Sequence, residues 1–144
     1  MANTAMTVGV AIAASQADQE TGTSTTTVVT PGRQQFHPCA SKFWLLVTNT
    51  AGTFALTTSY NITSITDGST GLYDVTIATD MSSTSYVVTS NITGTDTANL
   101  GAGDGGYGAK VYTRAAGSYK IQCVNYSGSV FDSTYSYQVG YGDQ

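Results

Sequence analysis

Charge is the scarcest property of this chain. Only 5 of 144 residues are Lys or Arg and 9 are Asp or Glu, 10% in all, against a usual share of about 25%. The five cations, Arg33, Lys42, Lys110, Arg114 and Lys120, are too few for a phosphate-tracking surface on a chain of net charge −4, which argues against nucleic acid as a partner. No apolar run approaches the roughly 20 residues that cross a bilayer as a helix, so no membrane insertion is expected. Met1 to Ala14 lacks the basic flank of a signal peptide and reads as mature protein. Glu occurs once, as Glu20, and Leu is scarce.

Catalytic and metal chemistry are similarly short of material. The single histidine, His37, has no GxSxG partner and reads as a packed or hydrogen-bonded residue at a domain boundary. Cys39 and Cys123 show no CxxC spacing, leaving free thiols or a pair that meets in the fold. Asp67, Asp74, Asp80, Asp96, Asp104 and Asp132 are not paired by spacing as a glycosidase requires, and most sit in turns as backbone acceptors. Asp96 and Asp104 could offer oxygens to calcium, but the EF-hand pattern is absent. The glycines around them lack the Lys-Ser/Thr of a P-loop. No enzyme activity and no cofactor are expected.

What is present points to β-structure. Ser and Thr supply 40 residues, with 10 Tyr and 16 Gly, the residues of pleated surfaces and tight turns rather than of helices. The chain divides into an arm, 1–37, and a body, 38–144. Within the arm, Ser15 is placed to cap a short helix, with Asp18 three positions on and Gly22 as its stop. Ala14 and Ala17 would share a face of that helix, too small to be a core alone. Thr23 to Thr30 reads as extended, and Pro31 opens a turn or a further helical turn.

In the body, strands are expected at 42–48, 53–60, 61–66, 72–77, 85–93, 109–114, 119–125 and 133–141, with a hairpin turn at 67–71. Phe54, Leu56 and Thr58 share one face, and Tyr73, Val75 and Ile77 another. Trp44, in the most apolar strand, is expected in the core. The predicted fold is an all-β, antiparallel, jelly-roll-like sandwich. The Gly-rich segment Thr95–Gly108 is the largest loop; Asp96, Asp104 and Tyr107 on it are the candidate contact surface. Tyr107, Tyr126, Tyr135, Tyr137 and Tyr141 flank loops or the last strand, where exposed rings stack on sugars or anchor interfaces. Three N-x-S/T triplets, at Asn61, Asn91 and Asn125, are expected by chance in so Thr-rich a chain.

Two stretches resemble tail-fibre proteins of bacteriophages. Ala14, Ala17, Gly22, Thr23, Val29, Thr30 and Pro31 fit the pattern A-x-x-A-E-x-x-x-G-T-x-x-x-x-x-V-T-P, with Asp18 in place of Glu. His37-Pro38-Cys39-Ala40-Ser41-Lys42-Phe43-Trp44 is similar to H-P-x-A-x-K-A-W, with Phe43 for Ala. Ser59 to Val75 then lies near S-(F/Y)-N-V-S-S-I-T-D-x-G-T-G-x-Y-T-V, with Ile62, Thr63, Ser69 and Asp74 departing from it. The resemblance covers about residues 13–90, and fades beyond. It implies a virion protein, assembled in the host cytoplasm: a homotrimeric short fibre or fibre tip that attaches to a host-surface glycan or protein. The arm, with Ala14, Ala17, Gly22 and Pro31, would assemble the copies and contact other virion proteins. A capsid decoration protein or head fibre is the alternative.

Overall fold

The structure is a computed structural model and describes residues 12–37, 39–94, 107–125 and 127–144. Two compact units divide at Ala40/Ser41, close to the expected boundary.

The first unit is built from local signals. Strand β1 (Ile12–Ala13) runs parallel to β2 (Thr27–Val28), with helix α1 (Gln16–Thr21) between them in sequence. Ser15 caps α1: the Asp18 N–H donates to Ser15 Oγ at 3.1 Å, and the Ser15 N–H donates to the Asp18 carboxylate at 2.8 Å. The Ser15 N–H, and after it the Ser15 hydroxyl donating to the same carboxylate at 2.8 Å, hold the Asp18 carboxyl below its ordinary pKa. Gly22 ends the helix with φ +66°, where a Cβ would be strained. A 3-10 turn at Gln34–Phe36 follows the Pro31 turn. The expected Ala14/Ala17 face is not formed within the unit. Ala14 precedes the cap, is buried, and donates its N–H to Val28 O at 2.8 Å, whereas Ala17 is exposed and Gln19 is the buried helix residue.

The second unit is an all-β sandwich whose described residues form eight strands: β3 (Ser41–Thr50), β4 (Thr53–Tyr60), β5 (Ile62–Asp67), β6 (Leu72–Ile77), β7 (Val87–Thr93), β8 (Gly108–Ala115), β9 (Ser118–Val124) and β10 (Tyr135–Tyr141). One antiparallel sheet has the order β4-β3-β10-β7 and the other β5-β6-β9-β8. The last strand thus returns to the middle of the first sheet, beside β3. The chain changes sheet at Asn61, which takes φ +57°. Its amide donates to Lys42 O at 3.0 Å and accepts from the Thr79 N–H at 2.8 Å, so this asparagine is a corner clamp. A register shift in β4 pairs Leu46 with Thr58 but Val47 with Leu56. The inserted residue reverses the inward phase: Phe54 and Leu56 face in as expected, but Thr58 is exposed and Ser59, opposite buried Leu45, is half-buried.

The core lies between the sheets. Phe43, Leu45, Val47, Phe54 and Ile92 from the first sheet meet Tyr73, Val75, Ile77, Tyr119, Ile121 and Cys123 from the second. Strand β10 contributes polar or small inward residues instead: Ser136 and Gln138 are buried, and Gly140 pairs with Phe43. A Cβ on Gly140 would lie 2.1 Å from the Phe43 ring, so that ring occupies the volume a side chain would need. Phe43 in turn stacks on Tyr119, with centroids 5.5 Å apart.

The buried polar atoms of β10 are bonded across the sheet interface. Tyr119 Oη donates to Gln138 Oε1 at 2.7 Å, and Tyr73 Oη donates to Ser136 Oγ at 2.7 Å. Gln138 Nε2 donates to Ser136 Oγ at 3.0 Å and to Tyr73 Oη. Both amide hydrogens and the amide oxygen of Gln138 are therefore used. A buried donor or acceptor left without a partner costs about 1–3 kcal/mol.

Two outcomes follow from this belt. Gln138→Leu strands the Tyr119 hydroxyl and should lower stability by about 2–4 kcal/mol in urea unfolding. Adding Tyr119→Phe removes the stranded group and should recover about 1 kcal/mol or more; no recovery would mean the belt is not bonded as described. Burial also pushes the Tyr73 and Tyr119 hydroxyls well above the ordinary value of 10.0. In the unfolded chain these phenols ionise from about pH 10 while the folded state keeps its protons, so stability is intact below that pH and falls above it. Each contributes about 1.4 kcal/mol per pH unit, and Tyr73→Phe should remove its share of the slope in unfolding measured between pH 9 and 11.

Candidate binding surface

The two outward faces of the sandwich differ in charge. The β5-β6-β9-β8 strands carry Asp67, Asp74, Lys110, Arg114 and Lys120, with Lys120 Nζ 2.7 Å from the Asp74 carboxylate. The β4-β3-β10-β7 strands carry one charged residue, Lys42, and it is buried. This sheet therefore exposes no charged side chain on its outward face.

Strand register arranges that face in rows. Tyr60, Trp44, Val139 and Thr89 are successive partners across β4, β3, β10 and β7. Thr58, Leu46, Tyr137 and Asn91 form the next row. Tyr60 is 51% exposed, Tyr137 46% and Trp44 39%. Tyr135 and Tyr137 lie nearly parallel, with centroids 6.3 Å apart, and Tyr141 pairs with exposed Val87. Aromatic rings standing among hydroxyl and amide groups, with no charge between them, suit a neutral partner that offers both apolar patches and hydrogen-bonding groups.

Trp44 corrects the expectation that it packs in the core. The run Phe43-Trp44-Leu45-Leu46-Val47 is apolar at every position, but strand alternation sends Phe43, Leu45 and Val47 inward and leaves Trp44 out. A continuous apolar run reads as buried on both faces; here one of its faces is a surface.

The loop candidates have other surroundings. Asp96, Asp104 and Tyr126 lie outside the described residues. Tyr107 is half-packed: its ring is 5.1 Å from Phe131 by centroid, and a Cβ on Gly94 would meet it at 2.6 Å. Its ring therefore pins Gly94 and Phe131 together on one side. Of the arm residues, Ala17, Gly22 and Pro31 are exposed and Ala14 is buried.

Among the described residues, no group of three or more His, Cys, Asp or Glu is placed to hold a metal ion. Cys39 and Cys123 are both free, the first exposed and the second buried, where desolvation raises its thiol pKa. His37 Nδ1 accepts the Cys39 N–H at 3.1 Å. Asp132 accepts the Gly71 N–H at 2.6 Å, and Asn125 organises its own loop by accepting from the Ser127 and Ser129 N–H groups. No helix among the described residues is long and apolar enough to cross a membrane.

No protein-family model, no curated protein and no solved structure matches this chain.

The face can be separated from the core by stability alone. Trp44→Ala and Tyr137→Ala should each cost about 1 kcal/mol or less. Phe43→Ala, one residue away but inward, should cost about 3–5 kcal/mol. Equal losses at positions 43 and 44 in chemical unfolding would contradict the assignment of Trp44 to the surface.

Proposed function

We propose that this chain is a non-enzymatic virion protein of a tailed bacteriophage, a short tail fibre or fibre tip that attaches to the host surface. The observation that carries the reading is the neutral, aromatic outward face of the β4-β3-β10-β7 sheet. Its ligand class is an uncharged stretch of host-surface glycan, which presents C–H faces to Trp44, Tyr60 and Tyr137 and hydroxyls to Thr58, Thr89 and Asn91. The resemblance of residues 13–90 to phage fibre modules supports the virion setting. The arm, 1–37, is the assembly element, and copies joined there, as a homotrimer, multiply weak contacts into avidity.

The test is adsorption. Added full-length protein should compete with phage for host cells. The Trp44→Ala/Tyr137→Ala variant should lose at least about 30-fold in competition, the scale of one or two aromatic hot spots, while losing no more than about 2 kcal/mol of stability and remaining folded. Unchanged competition would remove the face from host binding. Immunogold labelling of virions should place the protein on the tail; label scattered over the capsid would replace attachment with decoration.

A further inference from the structure

Strand register puts four of the exposed rings on the β4-β3-β10-β7 face into one line. Tyr60 on β4 is directly opposite Trp44 on β3. Trp44 is opposite Val139, so Tyr137, two residues before Val139 on β10, is its diagonal neighbour. Tyr135 comes next along β10, its ring nearly parallel to that of Tyr137 with centroids 6.3 Å apart. All four rings are exposed. Opposite and diagonal neighbours of antiparallel strands lie about 5 Å and about 7–8 Å apart, which makes the line roughly 15–20 Å long. Polar groups accompany it on the β7 side: Asn91 pairs with Tyr137 and Thr93 with Tyr135, and both are exposed. Asn91 is the free carboxamide of these strands, since Gln138 is buried and Asn49 Oδ1 accepts the Gly52 N–H. Tyr141 stands off the line, beyond Val139 and opposite Val87.

We propose that this line is a track for a linear, uncharged glycan bound in extended form, and that Asn91 is the residue that selects among such glycans. The inference rests on the reading of this face as a glycan-binding surface; it adds the direction of the ligand, its length and a selecting group. A sheet face has no walls to enclose a single sugar, so affinity comes from the number of rings covered in succession. An extended chain covers the whole line, whereas a compact or branched glycan covers one or two rings. No exposed charge on the face is available to hold a uronate or a phosphate. The Asn91 carboxamide offers a donor and an acceptor side by side. It can pair with two neighbouring hydroxyls of the sugar seated on Tyr137, and so distinguishes glycans by how those hydroxyls are disposed. A hydroxyl-pairing site rejects an analogue that leaves its polar groups unpaired far better than an apolar surface does.

The probe is a printed array of linear and branched, neutral and uronate-containing glycans, read with the full chain. Bound series are then titrated in solution as ladders from disaccharide to octasaccharide. Trp44 is the single tryptophan, so its fluorescence reports occupancy of the track. Linear neutral glycans should be retained over branched and acidic ones, and affinity should rise at least about 10-fold from disaccharide to tetrasaccharide before levelling off. Tyr135→Ala should lower affinity for the longest ligand at least about 10-fold, and Tyr141→Ala less than about 3-fold. Asn91→Ala should erase the ranking among neutral glycans that differ only in the configuration of a hydroxyl. An array on which no neutral glycan is retained would overturn the glycan reading of the face and this inference with it. Neutral glycans bound with an affinity independent of length would overturn the track alone, a result read on the unchanged protein and so independent of any variant's folding. Equal losses at Tyr135 and Tyr141 in folded variants would do the same. An unchanged ranking in Asn91→Ala would overturn the selecting role of Asn91.

Discussion

The hydrogen-bonded belt of Gln138, Ser136, Tyr73 and Tyr119 sets the phase of strand β10, and the outer surface of the sandwich depends on that phase. By hydrophobicity alone, Tyr135, Tyr137, Val139 and Tyr141 belong inside and Ser136, Gln138 and Gly140 outside. The observed strand is the reverse. A one-residue slip would exchange the two sets, but it would drive a large side chain into the volume that the Phe43 ring takes over Gly140. It would also leave the hydroxyl of Tyr119 without the Gln138 oxygen that accepts it. The polar interior of β10 and its aromatic exterior are thus one choice, made by packing against Phe43 and by bonding across the sheets.

That choice concentrates aromatic area on the sheet that has no charge. The opposite sheet spends Asp74 and Lys120 on an exposed ion pair, an arrangement worth little to stability but well suited to water. The β4-β3-β10-β7 face has no such group, and its rings rise among threonines and an asparagine. Solvation alone does not explain a surface of this composition, since tyrosine and tryptophan gain by covering their apolar bodies while their polar tips stay bonded. A neutral ligand with alternating apolar and hydroxyl patches meets both needs.

Much of the fold was legible because its signals are local. The Ser15 cap, the Asp18 return bond, the Gly22 stop, the 67–71 hairpin turn and the phase of Tyr73, Val75 and Ile77 all act within a few residues. What escaped depended on distant partners. The inserted residue that flips β4 after Leu56 has no mark in Thr57 itself. The outward position of Trp44 was hidden in a run with apolar residues on both phases. The polar interior of β10 makes sense only beside Phe43, Tyr73 and Tyr119, all distant from it in the chain. The neutral face was within reach of the sequence, through the lack of charge in four particular strands, but only once those strands are known to share a sheet. The reading of Asp96 and Asp104 as contact residues rested on loop composition and falls outside the described residues; Tyr107 packs one side of its ring on Phe131 and stays exposed on the rest.

The arm and strand β10 share one peculiarity: each buries an amide and exposes its apolar residues. In β10 the buried amide, Gln138, is fully bonded within the chain, so the strand is complete and its exterior is free to serve as a surface. In the arm the buried amide, Gln19, has no hydrogen-bond partner. Energetically the two are linked. A neutral face without a charged anchor gains modestly per contact, and its useful affinity comes from the number of faces held together. The proposed homotrimer would supply that number without adding any contact to the face itself.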